Sequence, residues 1–356
     1  MAKVPISVCI IAKNEEKYLE ECLKRLKPFG MEIVVTDTGS TDRTKEIAKK
    51  YANKVLDFKW CDDFAAARNF CAEHASYPWI LALDCDEYVN TIDIHTLRIL
   101  MQKFPKYCGV IRLKNLLKTD EGDTTYSTDD VMRFYNRNYY KYYYPIHEQI
   151  CSKDESRIEE NADGFLVPCE IIHHGYLIDA EEMAQKQKRN LNLLYKVVEN
   201  GKADSYTYFQ IGQSELILDN YDKSIEAFQK GLEAEPSTDN VYVHVMIMSL
   251  AKAYVYTNQN DKAMEIMEKY VSRCQTAKYM YTYANILLDC KQPLKALMYY
   301  IKTISMKDTD TLGEGLKRSY ERIINLYEAM GNQEMADMFQ KKYQECEEES
   351  ERVKNA

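Results

Sequence analysis

Trp79-Ile80-Leu81-Ala82-Leu83-Asp84-Cys85-Asp86-Glu87 is the stretch whose character decides the fold of this chain. A continuous apolar run marks a strand buried on both faces, and this one ends abruptly in two carboxylates spaced i, i+2. Once the chain turns, both acids can reach one point, and a point shared by two acids suits a hard divalent cation. The carboxyl ends of parallel strands are also where open α/β sheets hold their ligands. An isolated Asp-x-Asp is more often no more than a polar turn after a buried strand, so its neighbours must decide.

Upstream, strands and helices alternate. Val4 to Ala12 is a β-branched strand, and Glu15 to Lys27 a helix with Leu19, Cys22, Leu23 and Leu26 on one face. Glu32 to Thr36 is a second strand, and Asp42 or Thr41 caps a helix running through Tyr51. Lys54 to Phe58 is a third strand, Phe64 to His74 a helix, and Trp79 to Leu83 the fourth strand. This alternation predicts βαβ units and a parallel sheet. From Lys106 to His174 the pattern turns to strands and turns, a mixed or antiparallel addition. Val110 to Leu117 is extended, Thr119 to Asp123 is a turn, Val131 to Tyr135 and Tyr140 to Ile146 are spaced to pair, and Val167 to His173 closes the segment.

After Ile178 the chain is helical to its end, and it repeats. Tyr208, Ile211, Gly212, Tyr221, Ala227, Phe228 and Pro236 fall where a tetratricopeptide unit of about 34 residues needs them. Weaker copies follow at Leu250, Ala251, Tyr254 and Ala263, at Tyr283, Ala284, Leu287 and Ala296, and at Ile324, Tyr327 and Ala336. Three or four such helix pairs suffice to bury a shared core. The expected division is residues 1–178 for the α/β domain and 179–356 for the repeats.

Composition narrows the function. With 356 residues there is room for two cored domains. The formal charge of −9 argues against a nucleic-acid partner, which needs a basic face. Ile6 to Ala12 is too short for a signal segment, and no window reaches the roughly 18 apolar residues of a membrane span. The 11 cysteines include no Cys-x-x-Cys pair and suit buried thiols in a reducing compartment, so a cytoplasmic protein is expected.

Three loops, after the first, second and fourth strands, should converge: Lys13-Asn14-Glu15, Asp37-Thr38-Gly39-Ser40-Thr41-Asp42, and Asp84-Cys85-Asp86. An acid at Asp37 can accept hydrogen bonds from a base or ribose, and Gly39 and Ser40 let a ligand approach the backbone closely. No Gly-x-Gly-x-x-Gly follows the first strand and there is no Gly-Lys-Ser/Thr loop. The phosphates of a bound nucleotide must therefore be held by metal and side chains.

At these residues the chain resembles a known family. Ile10-Ile11-Ala12-Lys13-Asn14-Glu15-Glu16, Asp37 to Thr44, Asp63-Phe64-Ala65-Ala66-Ala67-Arg68-Asn69 and Asp84-Cys85-Asp86 are similar, in order and spacing, to the motifs of family 2 glycosyltransferases of the GT-A fold. The resemblance implies a mixed, mostly parallel sheet, a UDP-sugar donor, inversion at the anomeric carbon, and Mg²⁺ or Mn²⁺. It sets Asn14, Glu15 and Asp37 along the uridine and Arg68 near the diphosphate. Asp84 would face ribose and metal, Asp86 would ligate the metal, and Ala12, Gly39, Ser40 and Cys85 would complete the donor-binding set. Cys85 is expected to pack inside the sheet rather than act as a nucleophile.

Three of the six histidines lie in two short pieces further on. Arg133-Phe134, His147-Glu148 and His173-His174-Gly175-Tyr176 resemble a bacterial subgroup of the same family that includes sublancin-type peptide S-glycosyltransferases, which also carry a tetratricopeptide-like tail. The resemblance implies His173 as a second metal ligand and Glu148 as the general base that deprotonates the acceptor, with Asp129 and Asp130 competing for that role. Arg133, His147 and Tyr176 would lie on the acceptor side. The acceptor remains open between a peptide or protein side chain and a lipid-linked or surface glycan precursor, and the helical half is expected to position it or to form a homodimer. Tyr139 to Tyr144 is either an aromatic platform for a sugar or peptide or a strand whose alternate rings pack inward. A nucleotidyltransferase would open with a Gly-rich basic loop, and a tetratricopeptide binding protein with a dead first domain need not keep Asp84, Asp86, Arg68, Glu148 and His173 together.

Overall fold

A computed structural model describes residues 4–118, 124–154, 164–175 and 180–354. The chain divides into two compact units, Met1–Met183 and Ala184–Ala356, with the divide inside a helix rather than at Ile178.

In the first unit, β1 (Ile6–Ala12), β2 (Glu32–Asp37), β3 (Lys54–Asp57) and β4 (Trp79–Leu83) run parallel in the order β3-β2-β1-β4. Successive side chains of a strand point to opposite faces, and both faces here are apolar. Ile6, Val8, Ile10, Ile33, Val35, Leu81 and Leu83 join one core with α1 (Leu19–Leu26). Cys9, Val34, Ile80 and Ala82 join the other, with α3 (Phe64–His74). That is why the run Trp79–Leu83 shows no polar alternation: each of its residues is buried. On α1 the apolar spacing buries Leu19, Cys22, Leu23 and Leu26, each leucine contributing about 2 kcal/mol. The helix starts at Leu19 rather than Glu15, because the residues before it are occupied in a loop described below. The remaining helix of this half, α2, spans Thr44–Tyr51.

Beyond β4 the chain departs from simple alternation. β5 (Glu87–Ile92) and α4 (Ile94–Lys103), capped by Asp93 accepting from Thr96 N at 3.0 Å, were not expected from the sequence. β6 (Cys108–Lys118) and β7 (Thr124–Asn136) form a long antiparallel pair. β7 docks antiparallel on β4, and β6 pairs in parallel with β10 (Gly164–Leu166) and β11 (Cys169–His173). β11 closes antiparallel on β5. The sheet is thus mixed and mostly parallel, as the resemblance implied.

One expected pairing does not form. Tyr140–Tyr143 (β8) pairs with Gln149–Ser152 (β9) in a separate two-stranded sheet, not with Val131 to Tyr135, whose edges are taken by β4 and β6. The strand also stops short of Ile146. Tyr144 turns left-handed at φ 67°, and Pro145 has no N–H to extend a ladder. The turn expected at Thr119 to Asp123 lies outside the described residues.

The second unit is a solenoid of helix pairs after α5 (Ala180–Glu199). They are α6 (Ser205–Ile217) with α7 (Tyr221–Glu233), α8 (Val241–Tyr256) with α9 (Asn260–Tyr270), α10 (Ala277–Asp289) with α11 (Pro293–Ile304), and α12 (Glu314–Ala329) with α13 (Gln333–Lys354). Each of the four expected repeats coincides with one of these helix pairs. Small residues sit where helices touch: a Cβ on Gly212 would lie 2.3 Å from the Phe228 ring, and Ala251, Ala263, Ala284 and Ala296 are fully buried. Several of the chain's many tyrosines are core residues here. Their hydroxyls find acceptors, Tyr279 at Met267 O (2.8 Å) and Tyr300 at Asn285 Oδ1 (2.6 Å), as burial of a phenol requires.

Candidate active site

The strand order places the ends of β1 and β4 side by side, where their following loops part company, and that crevice is the usual ligand position in such sheets. The loops after β1 and β2 are stitched to each other before any ligand is considered. Asn14 sits at φ 56°, its N–H donates to Ser40 Oγ (3.0 Å), and its Oδ1 accepts from Thr41 N (2.8 Å). Glu15 N donates to Thr44 Oγ1 (2.7 Å), and Ala12 O accepts from Thr38 N (2.9 Å). Asp37 is buried and turns back on its own loop, accepting from Gly39 N and Ser40 N at 3.2–3.3 Å. These sequence-predicted donor residues do come together, and much of their hydrogen bonding goes into shaping the loops. Cys85 is buried, and burial followed by the charge of Glu15 pushes its thiol far up, so it is an inert packing group.

Behind these loops lies a buried ion network. Arg68, on α3, donates from Nη2 to Asp84 Oδ1 (2.7 Å) and from Nε to Glu148 Oε1 (2.6 Å). Arg133, on β7, donates from Nη2 to Asp84 Oδ2 (2.9 Å) and to Glu87 Oε1 (3.3 Å). Glu87 Oε2 in turn accepts from Asp84 N (3.0 Å). Burial alone would raise the Asp84 carboxyl, but Arg68 and then Arg133 overcome it and hold it far below the usual carboxylate range. For Glu87 the balance goes the other way: burial raises it more than Arg133 lowers it. Arg68 stacks its guanidinium 5.4 Å from the centre of the Tyr142 ring. Its Nη1 is buried with no hydrogen-bond partner among the described residues, and so is the Tyr142 hydroxyl.

Glu148 is delivered by the turn between β8 and β9. Tyr144 and His147 both have left-handed φ (67° and 52°), which non-glycine residues adopt at a cost of about 1 kcal/mol or more each. The turn is anchored by Phe64 N, the first amide of α3, donating to Pro145 O at 2.8 Å. His147 stands beside Glu148 in this turn, its carbonyl accepting from Gln149 Nε2 (3.2 Å). In the aromatic run, Tyr142 packs inward on Tyr135, Tyr140 is half-buried against the same core, and Tyr139 is exposed.

Asp86 does not join the arginines. Its Oδ2 lies 3.4 Å from His173 Nε2, because His173 on β11 stands opposite Glu87 on β5, one residue along. His174 N donates to Asp86 O (2.9 Å), and a Cβ on Gly175 would lie 2.1 Å from Asp86 Oδ2 and 2.6 Å from His173 Nε2. The glycine therefore leaves open a cradle that any side chain would fill. One carboxylate oxygen and one imidazole nitrogen fit a divalent cation that takes its other ligands from phosphate oxygens and water. No cluster of three or more such side chains exists among the described residues.

Of the other candidates, Asp130 lies elsewhere. It forms a two-pronged pair with Arg112 (2.9 and 3.0 Å), on the face of the β6–β7 pair opposite Asp129. Tyr176 lies outside the described residues. Two residues escaped sequence reading. Glu87 was given no role from sequence, yet it opens β5 and is buried. Asn115 occupies the inward phase of β6, after Ile111 and Leu113, and an inward polar residue in an apolar phase is a readable signal.

Comparison with known proteins agrees in both units. The model "Glycosyl transferase family 2" matches residues 7–154, and "Tetratricopeptide repeat" matches residues 205–238 and 246–276. A TPR repeat-containing protein of Synechococcus elongatus is 31% identical over 217 residues, covering 59% of this chain and 52% of that one, so the match takes in about half of the relative's length. The SPbeta prophage-derived glycosyltransferase SunS of Bacillus subtilis is 23% identical over 335 residues, 90% of this chain and 76% of the relative. The lipopolysaccharide core biosynthesis glycosyltransferase LpsC of Rhizobium meliloti is 35% identical over 92 residues, 25% of this chain and 34% of its own. Among solved structures, S. aureus TarS aligns with TM-score 0.41 and 13% identity over 72% of this chain and 53% of that chain. MamA aligns with TM-score 0.40 and 20% identity over 50% of this chain and 99% of its own.

Proposed function

We propose that this glycosyltransferase, a family 2 domain followed by tetratricopeptide repeats, moves a sugar from a UDP-sugar to a peptide or protein side chain, with Mg²⁺ or Mn²⁺ and with inversion. The observation that carries the donor half is the Asp86–His173 pair, 3.4 Å apart over the open edge of Gly175, with Asp86 on the loop that follows β4, the neighbour of β1. Asp86 and His173 would hold the cation, which when bound neutralises charge developing on the leaving diphosphate. Arg68 adds a second positive group. A buried N–H without an acceptor is rare in folded proteins, and Nη1 of Arg68 is free to take a diphosphate oxygen. Asn14, Glu15, Asp37, Gly39 and Ser40 would line the nucleoside. Asp84 anchors Arg68 and Arg133, one through each oxygen, and each oxygen keeps a second lone pair for the ribose or metal that the resemblance sets beside it. Glu148 remains the candidate base, with His147 beside it in the β8–β9 turn and Arg133 linked to it through Asp84 and Arg68.

The acceptor reading rests on the resemblance to sublancin-type enzymes, supported by a match to SunS that runs through both units. The match to LpsC covers 92 residues and bears on the donor half alone, so a glycan acceptor has less support. The repeats would dock the acceptor or a second copy. No described helix is long and apolar enough to cross a membrane, and action in the cytoplasm accords with the free cysteines. Incubating the protein with a panel of UDP-sugars and Mn²⁺, and following hydrolysis and peptide mass, tests this function. Mn²⁺-dependent release of UDP from one sugar nucleotide is expected; no release from any would refute it.

A further inference from the structure

Three side chains outside the donor loops line up on one face of the sheet and end on His173. β7, β6 and β11 are neighbouring strands. The register sets Asp129 opposite Leu113 and His173 opposite Asn115. Leu113 and Asn115 are two apart on β6 and share a face, so Asp129, Asn115 and His173 do as well. Asn115 is 1% exposed, and both ends of its amide are engaged. Nδ2 donates to Asp129 Oδ2 at 2.7 Å, and Oδ1 lies 2.9 Å from His173 Nδ1.

The chemistry of these groups fixes the direction of the chain. An ionised carboxylate only accepts, so the amide end facing Asp129 must be the NH₂. The carbonyl end then faces His173 and can only accept, which requires the imidazole proton on Nδ1. In the neutral ring Nε2 then keeps its lone pair, and Nε2 is the atom turned to Asp86.

We propose that Asp129 and Asn115 are positioning residues that lock the ring tautomer of His173, so that Nε2 is presented to a divalent cation shared with Asp86. This rests on the metal reading above and deepens it. It gives Asp129 a task other than that of a base. It also accounts for a polar amide in a strand phase that is otherwise apolar, since a fully bridged amide costs little to bury and a half-bridged one costs much. Partners of a metal-bound histidine typically tune affinity by about 10- to 100-fold.

The test reads the tautomer itself. ¹⁵N NMR of histidine-labelled, metal-free protein at alkaline pH, with the His173 signal assigned by its loss in His173→Gln, should show the Nδ1–H form. Asp129→Asn lets the amide turn over and should give mixed tautomers with Mn²⁺ affinity weakened about tenfold or more, while Asp129→Glu restores both. A wild-type ring protonated on Nε2, or an Asp129→Asn protein with unchanged tautomer and unchanged Mn²⁺ affinity, would overturn the proposal. A wild-type protein that shows the Nδ1–H ring but binds no Mn²⁺ would instead overturn the metal reading and leave the tautomer lock standing.

Discussion

Arg68 is the residue on which the site's electrostatics turn. It is buried and pairs two carboxylates from distant parts of the chain, Asp84 and Glu148. Removing one partner of a buried ion pair strands the other charge, at a cost of about 3–5 kcal/mol. Arg68→Met should lower the melting temperature sharply and weaken UDP binding, as calorimetry would measure; a variant as stable as wild type would contradict the network. Asp86→Ala makes the opposite test, because Asp86 pairs with no arginine among the described residues. It should unfold as wild type does while Mn²⁺-dependent donor hydrolysis disappears, and near-normal hydrolysis would refute its role. At this scale the sequence was a good guide to which residues meet and a poor guide to how. It singled out Asp84, Asp86, Arg68, Arg133, Glu148 and His173. The resemblance had set Asp86 and His173 on one cation, and the β5–β11 register brings them together; it did not reveal that Asp84 turns to the arginines. Asp129 and Asp130 read alike in sequence, and only the pleat separates them onto opposite faces.

At the scale of elements, one carboxylate ties three strands together at the end remote from the site. Glu32, at the start of β2, accepts from Ser7 Oγ (2.5 Å) and from Ser76 N (2.7 Å) and Oγ (2.6 Å), with Lys54 Nζ at 3.2 Å. Burial alone would raise this carboxyl, but the serine hydrogen bonds and Lys54 together hold it below its usual value. A depressed carboxylate contributes stability that is present above its unfolded pKa and is lost as pH falls through the folded value. Glu32→Gln should therefore cost about 1–2 kcal/mol at pH 7, and its difference from wild type in urea unfolding should shrink only below about pH 4. A difference that is constant down to pH 2 would contradict this. In the repeats, Gly212→Ala should destabilise by about 1–3 kcal/mol through overpacking, since its Cβ meets the Phe228 ring at 2.3 Å. Helical content would report that loss, and an unaffected unfolding curve would refute the packing argument. The buried strands β1, β2 and β4 and the helix pairs were legible because their patterning is strong. β5 and α4 were not read, although Tyr88, Val89, Thr91 and Ile92 favour a strand and Asp93 a helix start. The expected β7–β8 pairing failed for a different reason: sequence proximity favoured a hairpin, while β4 and β6 had already taken both edges of β7.

For the whole molecule, the two units keep separate cores, one centred on the sheet and one on the helix pairs, and the proposed labour divides between them. The proposed donor residues all belong to the first unit, so a chain ending before the repeats should keep UDP binding and lose use of a peptide acceptor; equal loss of both would contradict that division. The central claim is that the Asp86–His173 cradle makes donor binding depend on a divalent cation. Isothermal titration of UDP into the full chain, with and without Mn²⁺, measures this most directly. The account predicts tight binding with Mn²⁺, a large loss without it, and no Mn²⁺ effect in Asp86→Ala. Failure of the wild-type protein to bind UDP in the presence of Mn²⁺, or binding that ignores both the metal and Asp86, would contradict it.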